Sequence, residues 1–315
     1  MNAPAQAALE CGVYPDVAES EYFNWKAVSN SRLHPFLKSA FHGKYAMDHP
    51  SEPTAAMMLG SAVDCLVFTP ALFNERFAVA EQCCALTQKK EQCSKMGLMH
   101  WQDSQGKLWW RCKTHGIGDI RWGPPLARSI LSEDQSSTAY AMAKSVLNHD
   151  GAKVLLDTCE ETQLSIVWRE NNLICKGRLD GLSSELKTVI DLKKTFDASP
   201  EAFSRSIATY GYHRQAAMYL RGCSYHGIEA QNYVIIAVEN EAPFAVALYT
   251  LTERGPSALG GIGDSLSPVE YGNHELLRLF DIYERCESTN QWPSYPDRPI
   301  PISLPTWAER RIENA

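Results

Sequence analysis

The stretch VIDLKKTFDAS, residues 189–199, ends a hydrophobic run with an acid, an apolar residue and a lysine. Side chains alternate along a strand, so Asp191 and Lys193 point to one face and Leu192 to the other. Opposite charges beside a core are costly unless they serve each other or a ligand. Asp180 ends the run KGRLD eleven residues earlier, and a turn between the two runs brings both carboxylates to one sheet edge. Hard cations such as Mg²⁺ bind through one or two carboxylates plus water and substrate phosphate, which suits Asp180 and Asp191. An ammonium at Lys193 can orient a nucleophilic water there or offset charge growing on a phosphate. Gln215 and Tyr219, four apart on a predicted helix, share a face that can reach the same strand ends. Each piece has a plain structural alternative: D-x-K is common, Asp180 can be a turn acid, and Gln215 and Tyr219 ordinary helix residues. Their order along the chain favours a site.

The elements that must position these residues are legible in outline. Strand-like runs at 162–168, 173–179 and 187–192, separated by the turn signals RENN and GLSSE, predict an antiparallel meander. Ser199 and Pro200 then start a pair of helices hinged near Tyr210 and Gly211. Runs at 231–239 and 244–251 predict a hairpin around NEAP, followed by a helix near 273–288 and a Pro- and Trp-rich tail. Upstream, residues 1–27 read as a separate, flexible segment, and a short amphipathic helix follows with Ser29 or Ser31 as its cap. TAAMMLGSAVDCLVF at 54–68 is a tightly packing helix with one acid, Asp64, in an apolar stretch. Helical pattern returns over 134–157.

Between these helices, residues 82–120 change in composition to cysteine, lysine, glycine and tryptophan, as an inserted module does. Cys84, Cys93, Cys112 and His115 make a set of the structural zinc type, with Cys83 a competing ligand for Cys84. Buried free thiols are the alternative. Lys89, Lys90, Lys95 and Lys107, interleaved with Trp101, Trp109 and Trp110, could touch DNA; the tryptophans forming the module's own core is the favoured reading.

At 315 residues, 44% hydrophobic and 21% charged, the chain can bury a large core, and a net charge of −7 excludes a uniformly basic nucleic-acid coat. No stretch approaches the roughly 18 apolar residues of a membrane span, and the N-terminus lacks a basic-then-apolar signal pattern. The ten cysteines are then expected as mostly reduced thiols of a cytosolic protein.

The ordered set Gly60-x-x-x-Asp64, GRLD (177–180), DLK (191–193) and QAAMY (215–219) resembles the RecB-like branch of the PD-(D/E)xK nucleases. The wider phrases SNSRLHPFLKSAFHGKY, KGRLDGL, DLKKTFDASPEAFSRSIATYGYHRQAAMYL and LPTWAER are similar to phage and prophage exonucleases of the RecE type, over about residues 28–310. The resemblance implies an α/β nuclease core over 28–315, a central mixed sheet flanked by helices, interrupted by the small zinc-binding insertion. It implies 5′-to-3′ exonuclease action on linear double-stranded DNA. Two Mg²⁺ or Mn²⁺ ions would bind at Asp64, Asp180 and Asp191, with Lys193 as the catalytic lysine and Gln215 and Tyr219 as the Gln-x-x-x-Tyr motif. Asp64 stands where the family usually has histidine, and Gln163 where it often has glutamate, with Glu161 two residues earlier on the same predicted face. Arg178, Lys194, Arg205 and Arg214, close to the site in sequence, are candidate phosphate contacts.

Such relatives assemble as rings around DNA, work with a single-strand annealing protein in recombination, and are phage or prophage encoded, acting in the bacterial cytosol. A ring can confine positive charge to its channel, which reconciles an acidic chain with DNA. CALT…C…WWRCKTH also resembles a zinc-binding insertion of some phage exonucleases, which favours zinc. An iron–sulfur cluster of the kind related nucleases carry is excluded, because only Cys223 and Cys286 follow the Gln-x-x-x-Tyr motif, far apart. The rival readings are a DNA-end-binding protein that kept the fold with a weakened site, and an endonuclease.

Overall fold

The structure is a computed structural model that describes residues 9–81, 83–85, 91–97, 99–102, 105, 108–115, 129–255 and 266–304. The readings on Lys89, Lys90 and Lys107, and on the phrase LPTWAER beyond Leu304, lie outside these residues.

The N-terminal half comprises β1 (Gly12–Tyr14), α1 (Glu19–Asn24), α2 (Asn30–Leu33), α3 (Ala40–Asp48), α4 (Ala55–Phe68), α5 (Phe73–Arg76) and β2 (Phe77–Val79). Next come β3 (Met99–Gln102), β4 (Leu108–Arg111), β5 (Ser129–Leu131), α6 (Glu133–Asn148) and α7 (Asp150–Asp157). The remainder is β6 (Glu161–Glu170), β7 (Leu173–Ser183), β8 (Thr188–Thr195), α8 (Pro200–Tyr210), α9 (Tyr212–Tyr225), β9 (Asn232–Glu239), β10 (Val246–Thr250) and α10 (Pro268–Thr289). Six strands form one sheet in the order β1-β6-β7-β8-β9-β10, antiparallel except for the parallel pair β8 and β9. This is the central mixed sheet that the resemblance implies, with the predicted meander as its middle.

Alternation along β8 and β9 feeds two cores. Val189, Tyr233, Ile235 and Ala237 pack with Met218 of α9 and Leu279 of α10 on one side. On the other side, Ile190, Leu192, Ile236 and Val238 pack with Val63 of α4 and Met142 of α6. Each fully buried aliphatic side chain contributes about 1.5–3 kcal/mol, so the sheet between its helical layers is the rigid part of the molecule.

Local chemistry sets the helix ends. Thr54 accepts a hydrogen bond from the Met57 main chain to cap α4, and Ser29, one of the two expected caps, caps α2. The hinge expected near Tyr210 falls at Gly211, whose φ of 69° lies in the left-handed region that favours glycine. The helical stretch over 134–157 is two helices, because His149 takes an extended conformation between α6 and α7 and its ring caps the second. The last helix starts at Pro268, earlier than its apolar pattern suggests, since Ser267 and Glu270 form a capping box.

The N-terminal segment differs from expectation. Gly12–Tyr14 pairs with β6 at the sheet edge, and Tyr22 and Ala27 are buried. A three-residue strand is too short to leave an alternation pattern in sequence. No helix among the described residues is long and apolar enough to cross a membrane.

Candidate active site

β7 and β8 pair only over Gly181–Ser183 and Thr188–Ile190. Continuing that register places Asp180 opposite Asp191, at the point where the strands part into a fork. Beyond the fork Val28 slots in beside β7, donating to the Ile174 carbonyl and accepting from the Lys176 N–H at 2.8 Å each. The Leu192 N–H, released from the ladder, donates to Asp180 Oδ2 at 2.9 Å. Asp191 is 1% exposed and held from two sides: Gln215 Nε2 of α9 donates to Oδ1 at 2.9 Å, and Lys193 Nζ lies 2.5 Å from Oδ2. Asp191 and Lys193 share a face as alternation requires, while Leu192 points into the opposite core.

Asp64 reaches the fork from α4. Gln163 Nε2 of β6 donates to its Oδ2 at 2.9 Å, and its Oδ1 is buried without a hydrogen-bond partner. Burial pushes the Asp64 carboxyl up to about 7, with Asp191 and Glu19 adding to the rise and Arg76 and Lys193 opposing it. Burial and then the Asp64 and Asp191 charges hold Asp180 well above the usual carboxylate range. Burial alone would lower Lys193, but the Asp191 and Asp180 carboxylates outweigh it and raise its pKa, which keeps the ammonium charged. Three crowded carboxylates, two of them reluctant to ionise and one with an orphaned buried oxygen, are an oxygen donor set that fits a hard divalent cation.

Tyr219 lies one turn beyond Gln215, its ring against Gly177: a Cβ at that glycine would come within 2.9 Å of the tyrosine ring. Burial raises the Tyr219 phenol well above its usual range, with Tyr22, Asp191 and Asp180 adding, so it stays protonated beside the acids. The sequence reading of Asp64, Asp180, Asp191, Lys193, Gln215 and Tyr219 as one group thus matches their placement. Glu161, expected on the same face as Gln163, is instead exposed at the outer end of β6. The reason is the Gln163 backbone, whose φ of 53° breaks the alternation between the two.

The four candidate phosphate contacts separate. Arg214 is a correction: it is fully buried, donating to Asn30 Oδ1 at 2.8 Å, paired with Glu275 and 2.9 Å from His34 Nδ1. It lies on the inner face of α9, where its charge ties helices together. Arg178 donates to Ser165 Oγ at 3.0 Å and to the Val17 carbonyl at 2.9 Å, with its guanidinium 4.3 Å from the Tyr22 ring centroid. Lys194 is half-buried and Arg205 exposed, both open to solvent.

Sequence reasoning missed three neighbours of the acids. Glu19 and Arg76 form an ion pair whose charges both act on Asp64. The Lys193 ammonium lies 5.1 Å from the Tyr212 ring centroid. Tyr212 had a signal, its place in the same helix as Gln215; Glu19 lies in a segment with no readable pattern.

In the inserted module the ligand position read as Cys84 falls to Cys83. The potential ligand atoms of Cys83, Cys93, Cys112 and His115 all lie within 4.8 Å of one another. Cys83 N–H donates to the Lys95 carbonyl and Cys84 N–H to the Trp110 carbonyl, so successive side chains of this extended segment point to opposite sides. Cys83 turns inward with no exposure, and Cys84 is half-buried outside the cluster. Cys93 Sγ and Cys112 Sγ are 4.0 Å apart, and His115 Nδ1 lies 3.6 and 3.3 Å from Cys83 and Cys112 Sγ. Tetrahedral zinc with bonds of about 2.3 Å to sulfur and about 2.0 Å to nitrogen needs edges of roughly 3.5–3.8 Å, so this set fits zinc. Trp110, 2% exposed and stacked on His100 with centroids 4.7 Å apart, belongs to the module's core.

The fold that carries this fork has counterparts among known proteins. The family described as "PDDEXK-like domain of unknown function (DUF3799)" matches residues 126–296, more than half of the chain. The chain belongs to that family. No curated protein matches its sequence. Among solved structures, the crystal structure of a "Putative exonuclease" from Eubacterium rectale matches 90% of this chain and 96% of its own, with 12% identity and a TM-score of 0.50. At that identity the likeness concerns the fold. A protein called SSO0001 matches 52% of this chain and 68% of its own at 18% identity, with a TM-score of 0.26. The class is therefore the PD-(D/E)xK nuclease fold, with a mixed sheet between helical layers.

Proposed function

We propose that this protein is a metal-dependent exonuclease that digests linear double-stranded DNA from its 5′ ends. The observation that carries the reading is the fork itself: Asp180 opposite Asp191, with Lys193 on the same face and Asp64 brought over them. Asp64, Asp180 and Asp191 would hold two Mg²⁺ or Mn²⁺ ions, which when bound polarise the scissile phosphate and ease loss of a proton from the attacking water. Lys193 keeps its proton under the influence of Asp191 and Asp180, so it acts as a donor to that water or to charge growing on phosphate oxygen. Gln215 fixes the Asp191 carboxylate, and Tyr219, packed on Gly177, fixes the helix that carries Gln215. Lys194 and Arg205 offer phosphate contacts from the solvent side.

Polarity, a part in phage-type recombination beside a single-strand annealing protein, a ring assembly and a phage or prophage origin with action in the bacterial cytosol rest on the resemblance of the motifs. A ring accounts for the net charge of −7, since only its channel need be positive. In the module, Cys83, Cys93, Cys112 and His115 would hold a structural Zn²⁺, supported by the fit of their spacing and by a module core made of Cys83, Ala85, Cys93 and Cys112.

The test is digestion of linear and closed-circular duplex DNA, each strand end-labelled in turn, with Mg²⁺ or Mn²⁺ and an Asp191→Ala control. Shortening of the linear duplex alone from its 5′ ends, absent in the control, is the expected result. Cutting of the circle would make the protein an endonuclease. No cutting with either metal, together with retained binding to DNA ends, would replace the enzyme with an end-binding protein.

A further inference from the structure

Gln163 is strained inside a strand, two residues from its start. Six non-glycine residues among those described have positive φ, and Asp16, Asn171, Lys187, Phe244 and Asn290 lie in turns, loops or a helix cap. Gln163, at φ 53°, lies inside β6, where Thr162 pairs with Gly181 and Leu164 with Leu179. That register leaves Gln163 facing Asp180 with no ladder pair between them. The pleat inverts there: Leu179 packs in the core beneath α9, and Gly181, two residues on, faces Phe68 of α4 across the sheet. A left-handed conformation costs any residue with a Cβ, and strain of this kind persists only where the surroundings impose it. What it achieves here is visible. The Gln163 side chain reaches Asp64, and its Nε2 donates to Oδ2 at 2.9 Å.

We infer that Gln163 is a positioning residue: its amide locks one oxygen of Asp64 so that the other, the orphaned Oδ1, faces the place a divalent cation takes. The inference rests on the reading of Asp64 as a metal ligand. A carboxylate can turn about its last bond, and a carboxamide donor on one oxygen stops that rotation. An amide suits this task better than an acid at the same position, because it gives Asp64 a donor without adding a further negative charge to a cluster already crowded with carboxylates. Mg²⁺ demands near-ideal octahedral geometry where Mn²⁺ is more permissive, so a locked Asp64 favours Mg²⁺.

The experiment is calorimetric titration of the full-length, DNA-free protein with Mg²⁺ and with Mn²⁺, using wild type, Gln163→Met and Gln163→Gly. Methionine keeps the bulk and removes the amide; glycine removes the amide and accepts the positive φ freely, so that variant folds even if the first does not. Both are expected to weaken Mg²⁺ binding by about 10–100-fold and Mn²⁺ binding by distinctly less. Thermal unfolding of the metal-free Gln163→Gly protein is expected at or above the wild-type midpoint. Wild-type Mg²⁺ affinity in Gln163→Gly overturns the inference, as does an equal loss of both metals accompanied by a fallen midpoint. If wild type itself binds neither ion, the reading of Asp64 as a ligand falls first and takes this inference with it.

Discussion

The carboxylate of Asp180 accepts the main-chain N–H of Leu192 at 2.9 Å, so an acid on one strand bonds the backbone of the next just where their ladder stops. Asp180 is thereby oriented by the fork, and Asp191 by Gln215 on the helix above. The two acids are fixed independently, one through backbone and one through a side chain, and they respond to different substitutions.

Lys193 is the side chain whose loss should cost more activity than its effect on the fold explains, although its removal also leaves the buried Asp191 carboxylate without its ion-pair partner. Lys193→Met removes a donor worth about 10²–10³ in kcat when aimed at developing charge, and the cleavage rate on linear duplex is expected to drop by that factor. Lys193→Arg should not restore it, since a planar guanidinium cannot occupy the place of an ammonium 2.5 Å from Asp191. Single-turnover cleavage alongside DNA binding measured with Ca²⁺ checks this. A variant that loses binding and rate equally would make Lys193 a docking residue.

The module offers a test at single-residue resolution. Cys83→Ser is expected to abolish stoichiometric zinc, measured as metal released per chain, while Cys84→Ser retains it. The reverse outcome would restore the position read from sequence and refute the inward placement of Cys83.

Arg214 separates a structural ion pair from a phosphate contact. Arg214→Met takes the guanidinium from Glu275, which keeps His213, and strips Asn30 and His34 of a donor, an expected loss of about 1–3 kcal/mol in urea unfolding. Unchanged stability with weakened DNA binding would show that the guanidinium turns outward in solution.

Lys176 gives a pH signature. Burial, with Arg32 and Arg178 adding to it, lowers its ammonium from 10.5 to about 8, although its Nζ donates to the Tyr22 and Trp25 carbonyls at 2.6 and 3.0 Å. Between those two values the unfolded chain holds more protons than the folded one, so this group makes stability rise with pH across the window and contributes no slope below it. Denaturant unfolding of wild type and Lys176→Met at pH 7.5 and 9.5 isolates the effect. The wild type should gain on the variant at the higher pH; a constant difference would refute the shift.

What the sequence revealed, and what it withheld, follows from the range of each signal. Period-2 alternation is local, so the shared face of Asp191 and Lys193 was legible, as was the glycine hinge at 211. Register is not local: that Asp180 meets Asp191 depended on the length of the turn between β7 and β8. A one-residue shift reverses every side chain of an extended segment, which is why Cys83 and Cys84 could not be told apart. Arg214 was misplaced because a charged residue near a site reads as a surface group, and its partners lie 61 to 184 residues away. The conformation of Gln163 had no sequence signal at all, since glutamine is not a residue that announces a positive φ.

Val28 is hydrogen-bonded through its main chain to the edge of β7 that β8 leaves unpaired beyond Asp180 and Asp191. A ladder that merely frayed would breathe with temperature. A further main chain bonded along that edge satisfies its N–H and C=O groups instead. Because the bonds are made by the N–H and C=O of Val28, this cover on the edge of β7 is indifferent to the side chain there. Position 28, buried in the core, can therefore accept another apolar residue with that edge still satisfied.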